Sequence, residues 1–151
     1  MRKKLLFIYA LNQTFHWFIV GLLIPVMVLL QLEKGLDLFQ IGVTIAVYSG
    51  TVILLELPTG GLADAIGRKR VYLISLVMSF LAGLVILIAW NFTTMAMGTF
   101  FMGVGRALSS GSMDAWFIDE FSKIEPEGNL QEALAKVGTF IPGAVGLGSL
   151  V

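Results

Sequence analysis

The sequence predicts an all-α membrane protein, a helical bundle of four complete transmembrane helices plus the start of a fifth, and three observations carry that prediction. Hydrophobic residues make up 57% of the 151 and charged residues only 13%, about half the roughly 25% usual in soluble domains. The charges are bunched, and the charge-free runs between the bunches are long enough to cross a hydrocarbon core of about 30 Å. Those runs are continuous, unlike the alternating segments of about ten residues that build a membrane β-barrel.

Residues 5–32 carry no charge and predict a first span, bent near Pro25. The basic start, Arg2, Lys3 and Lys4, has the look of a signal-peptide n-region. The apolar run behind it is too long, and no cleavage site of the A-x-A type follows, so the span is read as retained. A short connector, residues 33–37, leads to a second span over 38–58 that ends at Glu56 and Pro58. Residues 60–70 then read as a glycine-rich, strongly charged loop. Residues 71–90 are free of charge and form the third span.

A polar turn at residues 91–94 opens a fourth span over 95–118, interrupted by Arg106 and Asp114. Residues 119–136 carry Pro126 and Gly128 and read as a charged loop with an amphipathic piece. Residues 137–151 start a fifth span but fall short of the roughly twenty residues that a crossing needs. They are expected to be re-entrant or to belong to the front part of a longer protein.

Cation placement sets the orientation. With the N-terminus cytoplasmic, Arg2, Lys3, Lys4, Arg68, Lys69, Arg70, Lys123 and Lys136 lie inside, and Lys34 alone lies outside. The expected location is the plasma (inner) membrane. Tyr72 and Trp90, at the two ends of span three, suit the interfacial aromatic belt.

Ten Lys/Arg balance ten Asp/Glu, so no basic excess points to a nucleic acid, and the absence of cysteine removes disulfides, Cys-ligated zinc and thiol catalysis together. With one histidine there is no basis for a His-rich metal site. No nucleophile–base set can be assembled, so the chain is not read as an enzyme, and no cofactor is implied. The partners expected from composition are membrane lipid and further helices of the same chain or of an oligomer.

Three groups of polar residues stand out. Glu56 and residues 58–70 place a carboxylate, Asp64, at the membrane edge and three cations before span three. Cations there oppose the helix dipole. Either they serve as a positive-inside loop or something beyond local helix stability keeps them. In span four, Arg106 lies near the midplane, where a charge costs at least about 2.5–3.5 kcal/mol on insertion scales. Ser109, Ser110 and Asp114 continue a polar stripe. Asp114 is about 12 Å from Arg106 along the axis, too far for a direct ion pair within the helix. Arg106 is therefore expected to face a polar cavity or a partner, or to be a structural buried arginine. In span one, Asn12, Gln13 and His16 either line a translocation path or make interhelical hydrogen bonds. Thr99, Gly103, Ala107, Gly111 and Ala115 recur every four residues and give one helix face a close approach to a neighbour.

The stretch Gly60, Leu62, Ala63, Asp64, Gly67, Arg68 and Lys69 resembles the G-x-L-A-D-x-x-G-R-K/R loop between the second and third helices of major facilitator superfamily transporters. Glu56, Leu57, Pro58 and Thr59 resemble the E-x-P-T/S lead-in of drug-efflux-like members, while Ala65 stands where many members carry Arg. The resemblance implies that Asp64 and Arg68 join an acidic residue at the inner end of the fourth helix, here Asp119 or Glu120. In the family that cluster latches the two transporter halves in the outward-open state. Residues 103–106 and 110–116 are similar to the family's fourth helix, whose arginine is associated with proton coupling, with Arg106 and Gly111 spaced one residue wider. Residues 138–151, with Pro142 and Gly143, are faintly similar to the Gly/Pro-rich fifth helix of antiporter members.

The resemblance makes the chain the N-terminal part of the first six-helix half of such a transporter. The implied function is secondary active transport of small molecules by alternating access, with efflux of drug-like compounds as the specific expectation. The alternatives are a small or truncated non-transporting membrane scaffold and a dimeric small exporter.

Overall fold

The computed structural model describes residues 2–125 and 128–150, with the surroundings of Gly111 left out; Pro126 of the expected loop lies outside the described residues. The described residues form six helices and no strand: α1 (Arg2–Glu33), α2 (Leu38–Ile66), α3 (Arg68–Ile88), α4 (Phe92–Ile124), α5 (Leu130–Gly138) and α6 (Ile141–Ser149). Of these, α1, α2 and α3 are long and apolar enough to cross a membrane. α4 is as long as α1 but carries Arg106 and Asp114 in its middle.

The helix boundaries follow local chemistry. Asp37 caps α2: its carboxylate accepts the Gln40 N–H at 2.8 Å, and the Gln40 side chain accepts the Asp37 N–H at 3.1 Å, a reciprocal capping box. Asn91 does the same for α4, accepting from the Thr94 N–H at 2.9 Å. Asn129 opens α5 by accepting the Glu132 N–H at 3.0 Å. α2 does not stop at Pro58. It continues through Gly60 and Gly61 to Ile66, so the expected loop over 60–70 contracts to the single residue Gly67. Its φ of 95° reverses the chain, and it closes α2 and opens α3 at once. In low-dielectric surroundings a helix is the cheapest way to satisfy backbone groups, which outweighs the poor helix propensity of two glycines and a proline.

The chain forms two compact units, one of Met1–Leu29 with Phe117–Val151 and one of Leu30–Trp116. In the first, Tyr9 stacks on Phe117 with ring centroids 4.0 Å apart, and Phe121 adds a third ring. Arg2 pairs with Glu125 at 3.1 Å. Ala133 and Val137 bury the inner face of α5, and Ala144 and Gly148 that of α6. The exposed side of α5 carries a Glu132–Lys136 ion pair at 2.6 Å.

That hydrogen bond to Lys136, and then the ammonium charge itself, hold the Glu132 carboxyl below its usual range. A depressed carboxylate contributes stability that is present above its unfolded pKa and is lost as pH falls through the folded one. The expected result is that Lys136→Gln raises the Glu132 pKa toward the ordinary carboxylate value. Carbon NMR of the carboxyl reads this directly; an unmoved titration would contradict the pairing.

In the second unit, a core of Ala63, Val71 and Leu108, with Met78 and Val104 against it, sits beneath the Gly67 turn. Glycines let α4 press on both neighbours. A Cβ at Gly103 would meet Thr51 and the Tyr48 carbonyl at 2.8 and 2.9 Å, both on α2, and one at Gly105 would meet Ser79 at 2.5 Å on α3. Lys34 donates to the carbonyls of Leu87 and Ala89 at 2.8 and 2.7 Å. The only cation expected outside thus caps the C-terminal end of α3, where the helix dipole favours positive charge. Large apolar side chains remain exposed along every long helix, among them Phe7, Leu11 and Phe15 on α1 and Leu57 on α2, which is 88% exposed. Such continuous apolar faces need lipid or further helices to cover them.

Candidate functional site

The first site is built on the Gly67 turn. Asp64 is in the last turn of α2 and Arg68 is the first residue of α3, and the turn brings them together: Arg68 Nη2 lies 3.2 Å from Asp64 Oδ1. Arg68 is largely covered, whereas the Asp64 side chain is 70% exposed and Lys69 and Arg70 are exposed beside it. The carboxylate is therefore already oriented by one cation and still presents its open side to a further partner. Asp119 is exposed toward the end of α4, in the first unit, and Glu120 on the next position pairs with Lys123 at 2.7 Å.

The two signature glycines differ in what they do. A Cβ at Gly60 meets nothing within 4 Å, and the residue has ordinary helical geometry, while Gly67 has the positive φ that side chains rarely adopt. Gly60→Ala is expected to leave stability unchanged or raised by about 0.5–1 kcal/mol, and Gly67→Ala to lower it by about 1–3 kcal/mol. Thermal unfolding in detergent checks both, and equal effects would contradict this division of roles.

The second site lies within the second unit, where α4 passes α2. Arg106 is half-buried on α4. Gly103, one turn earlier, is where α4 touches the backbone of Tyr48. Of the expected polar stripe, Ser109 and Ser110 are half-buried and turn their hydroxyls to their own helix. Ser109 donates to the Arg106 carbonyl at 3.3 Å, Ser110 to that of Ala107 at 3.3 Å, and Ser112 to that of Leu108 at 2.8 Å. These hydroxyls back-bond to their own helix and soften it locally. Asp114 is exposed farther along α4.

In the first unit, Gln13 donates to the Tyr9 hydroxyl at 2.9 Å, and Asn12 and His16 are half-buried on the same stretch of α1. Glu56 is exposed on α2 one turn before Thr59. Thr59 itself, buried, donates across to the Ala107 carbonyl of α4 at 3.0 Å. Sequence reasoning passed over Tyr48, and it met Thr59 and Gly105 only as members of segments with a family resemblance, with no packing role. The signal for Thr59 is a hydroxyl in an apolar run next to a proline; Tyr48 and Gly105 have no signal short of the packing itself.

A family model described as Major Facilitator Superfamily matches residues 6–151. Neither a curated protein nor a solved structure matches the chain.

Proposed function

Because the chain belongs to the major facilitator superfamily, a family of integral membrane transporters, we propose that it exports drug-like amphipathic compounds by alternating access. The N-terminus lies on the cytoplasmic side of the plasma (inner) membrane, and further helices, in the same chain or in another copy, cover its apolar faces. The observation that carries this reading is the Asp64–Arg68 pair across the one-residue Gly67 turn. Asp64 and Arg68, with Asp119, act as a charge latch that favours the outward-open state. A hydrogen-bonded ion pair suits a switch, because leaving one charge without its partner is costly once the site is covered.

Arg106 serves proton coupling or solute contact, and Asn12, Gln13, His16, Glu56 and Asp114 are the other candidates for the path. The test uses ethidium, a lipophilic cation, and membrane vesicles with and without the protein. Saturable ethidium transport that uncoupler abolishes and that Arg106→Lys loses is the expected result. Equal ethidium movement in the two kinds of vesicle would refute export of this class.

A further inference from the structure

We propose that Thr59 is the positioning residue for Arg106, holding α4 at the rotation that sets where the guanidinium lies relative to α2. Two close approaches, one to α2 and one to α3, set how near α4 lies to its neighbours and fix its rotation only coarsely. Gly103 brings the α4 backbone against Thr51 and Tyr48, and Gly105 brings it against α3. A hydrogen bond is directional, weakening steeply as its angle closes. The Thr59 hydroxyl supplies such a bond, and it ends on the carbonyl of Ala107, the residue that follows Arg106. Thr59 and Ala107 are both buried, so water does not compete for the donor.

The tie is also built to be released. The Thr59 oxygen lies 3.0 Å from the Ala107 carbonyl and 3.1 Å from the Glu56 carbonyl of its own helix. A threonine hydroxyl has one proton to donate. When it swings to Glu56, the donor stays satisfied, and the Ala107 carbonyl keeps the Ser110 hydroxyl at 3.3 Å. Neither end is left as a buried, unmade polar group, which is the expensive outcome. α4 can therefore turn relative to α2 and return, with Arg106 carried along. Thr44 shows the same pattern at the other end of α2, sharing its hydroxyl between Gln31 at 2.6 Å and the Ile41 carbonyl at 2.8 Å.

The functional meaning rests on Arg106 being a residue of the transport path, but the positioning itself is measurable without transport. The protein contains no cysteine, so Met102→Cys, one turn before Arg106 on α4 and half-buried, places a unique thiol on the same face. Its alkylation rate by a maleimide is measured in native membranes with Thr59 intact and with Thr59→Ser, Thr59→Val and Thr59→Ala. Val keeps the shape and loses the hydroxyl; Ala guards against a Val variant that fails to fold. The expected result is a rate changed by about threefold or more in both Val and Ala, the size that one net hydrogen bond implies, with Ser like the parent. Unchanged rates in Val and Ala would overturn the proposal. So would an equal change in Ser, which would assign the effect to packing. Ethidium transport is scored separately: its absence, with the alkylation pattern as expected, refutes export and leaves the positioning role standing.

Discussion

Asp64→Asn is expected to abolish ethidium export while leaving the protein folded and in the membrane. The magnitudes make this a sharp expectation. Arg68 and Asp64 are four residues apart, and the Asp64 side chain is 70% exposed. An exposed pair of that kind contributes only about 0–1 kcal/mol to stability, so its loss does not unfold the second unit. If the pair did no more than decorate a loop, the variant would transport normally. A gate is different: every 1.4 kcal/mol by which the latch favours one state changes the population ratio about tenfold. Asn keeps the shape of the side chain and one acceptor oxygen, and it removes the charge while turning the other oxygen into an amide donor. Transport at the wild-type rate in this variant would remove the gating role; a large fall in membrane abundance would show that the carboxylate matters for folding instead.

The second large effect is expected where α6 meets α1. A Cβ at Gly148 would collide with the Phe18 carbonyl oxygen and come within 2.9 Å of the Leu22 nitrogen, and one at Gly21 would collide with the Val145 carbonyl oxygen. These are backbone atoms, so no rotamer change relieves the overlap. Gly21→Ala and Gly148→Ala are each expected to cost about 1–3 kcal/mol, the usual range for overpacking. Gly146→Ala is the control, since a Cβ there meets nothing within 4 Å. Chemical or thermal unfolding in detergent should separate the first two variants from the third. Similar midpoints for all three would mean that α1 and α6 do not approach this closely.

The helices were legible because their signal is one-dimensional. Gaps between charges locate α1, α3 and the start of α2 within a few residues, and Asp37, Asn91 and Asn129 mark three starts with side chains suited to capping. The 60–70 stretch misleads for a physical reason. Two glycines and a proline signal a turn in water, where an open backbone is hydrated, but only Gly67 has a backbone geometry that demands glycine. The site was legible in part. Asp64 and Arg68 are four residues apart, and a tight turn brings them together, so their pairing follows from the spacing. Tyr48, Thr59 and Gly105 acquire meaning only from the approach of α4 to α2 and α3, which no local pattern encodes. The serines of α4 show the converse: helical spacing marks them as a polar stripe, yet their hydroxyls return to their own carbonyls.

Alternating access gated by Asp64 is tested most directly by labelling one thiol from each side of the membrane. Asn12→Cys in this cysteine-free chain puts the thiol on α1 among the path candidates, and an impermeant maleimide is applied from outside or from inside. With Asp64 intact, the thiol is expected to react from both sides, faster from outside. Asp64→Asn should slow the outside reaction and speed the inside one, because the latch no longer favours the outward-open state. Labelling from one side only, or rates from both sides that Asp64→Asn leaves unchanged, would contradict the account.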